Sequence, residues 1–238
     1  MIKNIIFDIG NVLTDFRWHE FLQDKGFKGE ELQALAKASV LSPVWNELDR
    51  GVWSFEQVMA GFISNAPELS EQIQRAFDDM SRIVTMRDYA VPWVKSLRKR
   101  GYAVYYLSNF SEKIERECMD ALVFREEMNG GIMSYRDKVI KPDPAIYKLF
   151  LDRFGLKPQE CVFLDDSPIN VNAAREQGIN AILFVTKESA QKALDDMLRQ
   201  MNEPSCMIGI FLTGVSGREG TYVTIGKACF MICLVRKY

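Results

Sequence analysis

Residues Ile2–Leu13 read IKNIIFDIGNVL. The run Ile2–Phe7 is short, apolar and rich in β-branched residues; it stops at Asp8, with Gly10 and Asn11 close behind. A buried parallel strand with a turn at its carboxyl end has this pattern. It recurs downstream. AVYYL at Ala103–Leu107 ends at Ser108 and Asn109, CVFL at Cys161–Leu164 ends at Asp165 and Asp166, and AILFV occupies Ala181–Val185. A further short strand is expected near Ile132–Tyr135. Helical stretches lie between them: Asp88–Arg100 before Gly101, Glu112–Leu122, Pro144–Phe154 before Gly155, Asn170–Gln177 before Gly178, and Ser189–Met201. Such alternation predicts an α/β fold with a doubly wound parallel sheet. Ligands bind such sheets outside the carboxyl ends of the strands. Asp8, Ser108, Asp165 and Asp166 all fall there.

One segment interrupts the alternation. From Trp18 to about Arg87 the apolar residues recur at helical spacing, as at Leu32, Leu35, Ala36 and Val40, with a break at Asn65–Pro67 and no strand expected. Residues 1–14 and 87–200 therefore read as the α/β core, and residues 15–86 as a small helical cap inserted after the first strand. Residues 201–238 read as an apolar carboxyl-terminal extension, strand-like at Met207–Leu212, Tyr222–Ile225 and Phe230–Val235, to which no chemistry is assigned.

Composition narrows the function classes. A net charge of -2 and an ordinary 47% hydrophobic content give no electrostatic reason to bind nucleic acid or an anionic membrane. No apolar run reaches membrane-spanning length, and no export signal is expected at the amino terminus. Five scattered cysteines and a single histidine make a zinc site an unsuitable reading and suit a reducing, cytoplasmic setting.

Four motifs follow in order: FDIGNVL at Phe7–Leu13, YYLSN at Tyr105–Asn109, KPDPAIY at Lys141–Tyr147, and FLDDSPIN at Phe163–Asn170. In order and spacing they resemble the haloacid dehalogenase superfamily, in the subclass with a small helical cap. The resemblance covers Met1–Leu198. With LDRGVWSFEQ at Leu48–Gln57, it is most similar to bacterial phosphatases of α-D-glucose 1-phosphate and to the amino-terminal phosphatase domain of soluble epoxide hydrolases.

The resemblance implies roles. Asp8 is the nucleophile, forming an aspartyl-phosphate that divides one difficult step into two. Mg²⁺, which prefers oxygen ligands, is held by Asp8, Asp166 and the backbone carbonyl of Gly10, with Asp165 behind them or acting through water. Two adjacent carboxylates would repel each other, and a bound cation is the simplest reason to place them together. Ser108, Asn109 and Lys141 address the transferring oxygens. Ser108-Asn109 also reads as a helix N-cap, and the two roles are compatible. Arg50 reads equally as a substrate contact from the cap and as an exposed helix-end residue.

The first motif departs from the family pattern, in which a second Asp two residues after the nucleophile is the general acid and base. That position is Gly10. Such an acid is worth about 10²–10⁴-fold in rate. Of nearby residues, Asp15 reads as a turn or hinge and His19 as an exposed or interface residue before it reads as a replacement. Trp18, Trp45 and Trp53 read as structural. The expected activity is Mg²⁺-dependent hydrolysis of a small phosphate monoester, a sugar phosphate in particular, by a monomer or weak homodimer. A weakly active binder of phosphorylated metabolites is the alternative motivated by Gly10. A metal-free 2-haloacid dehalogenase is disfavoured by the acidic pair.

Overall fold

A computed structural model describes residues 1–202. The elements run β1 (Asn4–Phe7), β2 (Thr14–Phe16), α1 (Trp18–Asp24), α2 (Gly29–Ala38), α3 (Val44–Arg50), α4 (Phe55–Asn65), α5 (Ser70–Phe77) and β3 (Val84–Met86). They continue with α6 (Ala90–Lys99), β4 (Ala103–Ser108), α7 (Glu112–Glu117), β5 (Gly130–Met133), α8 (Ser134–Asp137), α9 (Pro144–Phe154), β6 (Cys161–Asp165), α10 (Pro168–Glu176), β7 (Asn180–Leu183) and α11 (Lys187–Asn202).

The five long-range strands form one parallel sheet in the order β5-β4-β1-β6-β7. The first strand is thus central, which explains its composition: every residue of β1 is buried, as a strand covered on both faces must be. Register fixes what meets at the carboxyl edge. Phe7 pairs with Leu164 on one side and Tyr106 on the other, so Asp8 and Asp165 come level, with Ser108 one residue beyond. Phe7 and Trp93 of α6 pack edge to face at 4.8 Å under this edge.

The segment between β2 and β3 is helical, as its periodicity predicts. Its own core includes Phe21, Leu35, Trp45, Phe62 and Phe77, all at most 8% exposed. The structure differs from expectation at its neck. Val84–Met86 is a strand, pairing antiparallel with Thr14–Phe16. Three residues are too few to show a period, so the ribbon is invisible in sequence. Arg87 reinforces it, donating to Asp15 at 2.8 Å and to the Tyr89 hydroxyl, which in turn donates to the Val12 carbonyl. Asp15 therefore lies in the ribbon, paired with Arg87, rather than in a turn. A second difference follows β4: the α-helix there ends at Glu117, and Met119–Glu127 continues as 3₁₀ helix. The α11 helix reaches Asn202; the strand-like runs anticipated within 201–238 lie outside the described residues.

Candidate active site

The turn after β1 is built around one carbonyl. Ile9 accepts hydrogen bonds from the amides of Leu13 and Thr14 and from the Thr14 hydroxyl, each at 3.0 Å. Asn11 takes a left-handed conformation, φ 54°, one that asparagine tolerates better than most residues. From there its side-chain amide donates to Asp166 at 2.9 Å.

Within this frame Asp8, Asp165 and Asp166 each offer a carboxylate oxygen, all within 4.8 Å of one another. Lys141, 2% exposed, lies among them, its Nζ 2.8 Å from Asp8 and 2.6 Å from Asp165. Asn109 holds Lys141 in place. Its side-chain oxygen accepts from the Lys141 amide at 2.7 Å and its nitrogen donates to the Lys141 carbonyl at 3.0 Å. Asp165 is saturated, accepting from Lys141, the Ser167 amide and the Asn170 side chain.

Charge here does not balance. Three carboxylates face one ammonium. Burial is the main force pushing Asp8 up to about 7; Lys141 opposes it, and Asp165 and Asp166 add to it. Asp166 is raised as well, by burial first, against the hydrogen bond from Asn11. Burial works against the charge of Lys141, yet Asp165 and Asp8 outweigh it and hold the ammonium above the usual lysine value.

The edge opens into a cavity of about 240 Å³ lined by Asp8, Gly10, Asn11, Asn109 and Asp166 on the core side. Phe16, Trp45, Val84, Phe110 and Ile114 give it an apolar wall, and Asp49 of α3 completes the lining. The structure thus brings together Asp8, Gly10, Asn109, Lys141, Asp165 and Asp166. Ser108, 1% exposed, lies at the end of β4 beside them. It is not the helix N-cap: Ser111 is, accepting from the Ile114 amide. Arg50 lies outside the lining, its guanidinium paired with Glu47 at 3.3 Å. His19 lines a separate groove on the cap with Gln23 and Lys28.

A family model for haloacid dehalogenase-like hydrolases matches residues 2–178. The chain belongs to this family. Among curated relatives, it is 39% identical over 173 residues to flavin mononucleotide hydrolase 1 of Arabidopsis thaliana, covering 65% of this chain and 62% of that protein. It is 32% identical over 104 residues to the bifunctional epoxide hydrolase 2 of Rattus norvegicus, covering 42% of this chain and 19% of that one. The chain spans less than two thirds of the length of either relative. The haloacid dehalogenase family enzyme BT-2542 of Bacteroides thetaiotaomicron, in complex with magnesium and inorganic phosphate, shares the fold. Its TM-score is 0.58 at 24% identity, over 77% of this chain and 94% of that one.

Two residues of this family member's site escaped the sequence reading. Asp49 sits in the last turn of α3, where a carboxylate faces the negative end of the helix dipole. That misplacement is the signal which could have found it. Ser134, fully buried at the head of α8, donates to the Asp49 carbonyl at 2.6 Å and accepts from the Phe110 amide at 2.9 Å. Nothing in its local sequence marks it, because its partners are distant along the chain.

Proposed function

We propose that this hydrolase cleaves a small phosphate monoester, a sugar phosphate in particular, in a Mg²⁺-dependent reaction through an aspartyl-phosphate on Asp8. One observation carries the reading: three carboxylates crowd one strand edge with a single lysine between them. An oxygen-preferring divalent cation fits this donor set, because it would offset the charge that Lys141 leaves uncompensated. Asp8, Asp166 and the Gly10 carbonyl would hold Mg²⁺, with Asp165 orienting Lys141 behind them. When bound, the ion supplies positive charge against the phosphate oxygens and the attacking carboxylate.

The protein's own groups do the rest. Asp8 also accepts a hydrogen bond from the Ile9 amide at 2.7 Å, which fixes its carboxylate where it lines the cavity. Lys141, clasped by Asn109, meets the transferring oxygens with a charge that does not titrate near neutrality. The cavity is smaller than the roughly 300–1,000 Å³ typical of sites for drug-sized ligands, which favours a small ester over a bulky one. Both curated relatives named above are hydrolases by name, and magnesium and phosphate are held together in a protein of this fold.

Purified protein assayed against sugar phosphates with and without Mg²⁺ tests the reading. Phosphate release should require Mg²⁺ and fall by at least about 10⁴-fold in Asp8→Asn. Metal-independent turnover of 2-haloacids would replace it with a dehalogenase, and the absence of any release above the Asp8→Asn control would replace it with a binding protein.

A further inference from the structure

The phosphatase reading leaves a chemical gap at Gly10: no side chain there can give the leaving group a proton. The cavity has few groups that could. His19 lies in a different groove, and Asp15 is engaged by Arg87 in the β2–β3 ribbon. Of the three carboxylates that line the cavity, Asp8 is the nucleophile and Asp166 is held by Asn11 beside it. Asp49 remains. It reaches the cavity from the cap, across from the strand edge. Among the described residues no hydrogen bond or ion pair engages its carboxylate.

Its backbone, by contrast, is fastened to the core. Ser134 donates to the Asp49 carbonyl, and Lys138 donates to the carbonyl of Gly51 two residues on. Gly51 has φ +67°, and a Cβ there would lie 2.7 Å from the Tyr135 carbonyl oxygen, so only glycine permits this approach. The end of α3 is therefore pressed against α8 with a free carboxyl group aimed into the cavity.

We propose that Asp49 is the general acid and base of the reaction, supplied by the cap in place of a carboxylate at position 10. The inference rests on the phosphatase reading above. As an Asp8 oxygen bonds to phosphorus, the bond from phosphorus to the ester oxygen breaks, and that oxygen takes the Asp49 proton and leaves as an alcohol. The Asp49 carboxylate then accepts a proton from water. The water oxygen bonds to phosphorus as the phosphorus–Asp8 bond breaks, so phosphate departs and both carboxyl groups return to their starting states. Burial first, and the charge of nearby Asp8, raise Asp49 to about 7 against the pull of Lys141, which favours its protonated form relative to an ordinary aspartate.

The test compares first turnovers on two esters in the full chain with Mg²⁺. p-Nitrophenyl phosphate has a leaving group that needs no proton; glycerol phosphate has one that does. Asp49→Asn should slow the first turnover of glycerol phosphate by about 10²–10⁴-fold while leaving the p-nitrophenol burst within about threefold. Gly10→Asp added to Asp49→Asn should recover at least tenfold on glycerol phosphate; a Cβ at Gly10 meets nothing within 4 Å, so the new side chain has room. An equal loss on both esters, or no loss on glycerol phosphate, overturns the assignment. So does a wild-type rate that falls by about tenfold for each unit rise in leaving-group pKa, a measurement that requires no variant to fold. If wild-type protein releases no phosphate above Asp8→Asn, it is the phosphatase reading that fails, and Asp49 with it.

Discussion

Two clusters of buried charge, one at the strand edge and one on α7, are built in opposite senses. At the strand edge, three carboxylates share one lysine. Around Glu115, which is 8% exposed, one carboxylate is shared by Arg125, Arg136 and the Tyr135 hydroxyl. Burial works against charge in both. In the first it wins, and Asp8 is pushed up to about 7. In the second the hydrogen bonds and charges of Arg125, Tyr135 and Arg136 outweigh it, and Glu115 is held below the usual glutamate range. The second cluster is complete: it ties α7, the 3₁₀ segment and α8 together and asks nothing of solvent. The first keeps three carboxylates around a single ammonium. A satisfied network reads as a cross-link, an unsatisfied one as a binding site.

The comparison can be broken most forcefully at Lys141. Lys141→Met leaves Asp8 and Asp165 facing each other without a cation, and should abolish turnover and cost about 3–5 kcal/mol of stability by denaturant titration. Glu115→Gln should cost about 1–3 kcal/mol, because two arginines lose their charged acceptor. The same variant should retain activity on p-nitrophenyl phosphate, since Glu115 lies outside the cavity.

Acidity separates the clusters further. Glu115 is depressed in the folded state, so its stabilisation is present above the unfolded glutamate value and is lost as pH falls through the folded one. Asp8 is raised, so in metal-free protein the folded state holds its proton more tightly than the unfolded chain. Stability from Asp8 is therefore present below the ordinary aspartate value of 3.8 and is lost as pH rises towards about 7. Added Mg²⁺ should accordingly raise the melting temperature by several degrees at pH 8 and by little at pH 5, as scanning calorimetry would read. An equal rise at both would mean that the carboxylates are not the ligands. The smallest effect is expected at Arg50: Arg50→Ala removes a half-exposed pair with Glu47 and should change stability by less than about 1 kcal/mol and KM by less than about threefold.

What could be read in advance follows from how each residue is held. Asp8, Asp165 and Asp166 end buried parallel strands, whose apolar runs announce themselves and whose register is set by burial. Lys141 belongs to a motif with local turn chemistry, Lys-Pro-Asp-Pro. Val84–Met86 could not be read, because a three-residue ribbon is stabilised by its partner strand alone. Ser111 rather than Ser108 caps α7 because the chain turns for three residues after the strand before the helix begins. Asp49 is unfavourably placed at the end of α3, but the sequence does not say whether it or Arg50 turns inward. Only the packing of α3 against α8 turns one of the two inward.

The ribbon at the neck has a consequence for how such a molecule can change over time. Thr14 faces Met86, so the inserted segment leaves and rejoins the trunk at the same spot, as a branch does. Its length and contents are invisible to the strands beneath, and a different branch grafted at that spot would leave Asp8 where it is. Asp49 and Trp45, however, would go with the old branch. Exchanging the insert would thus remove Trp45 from the pocket wall and the proposed proton source in a single event, and the vacant place at Gly10 would be free to take up the loss.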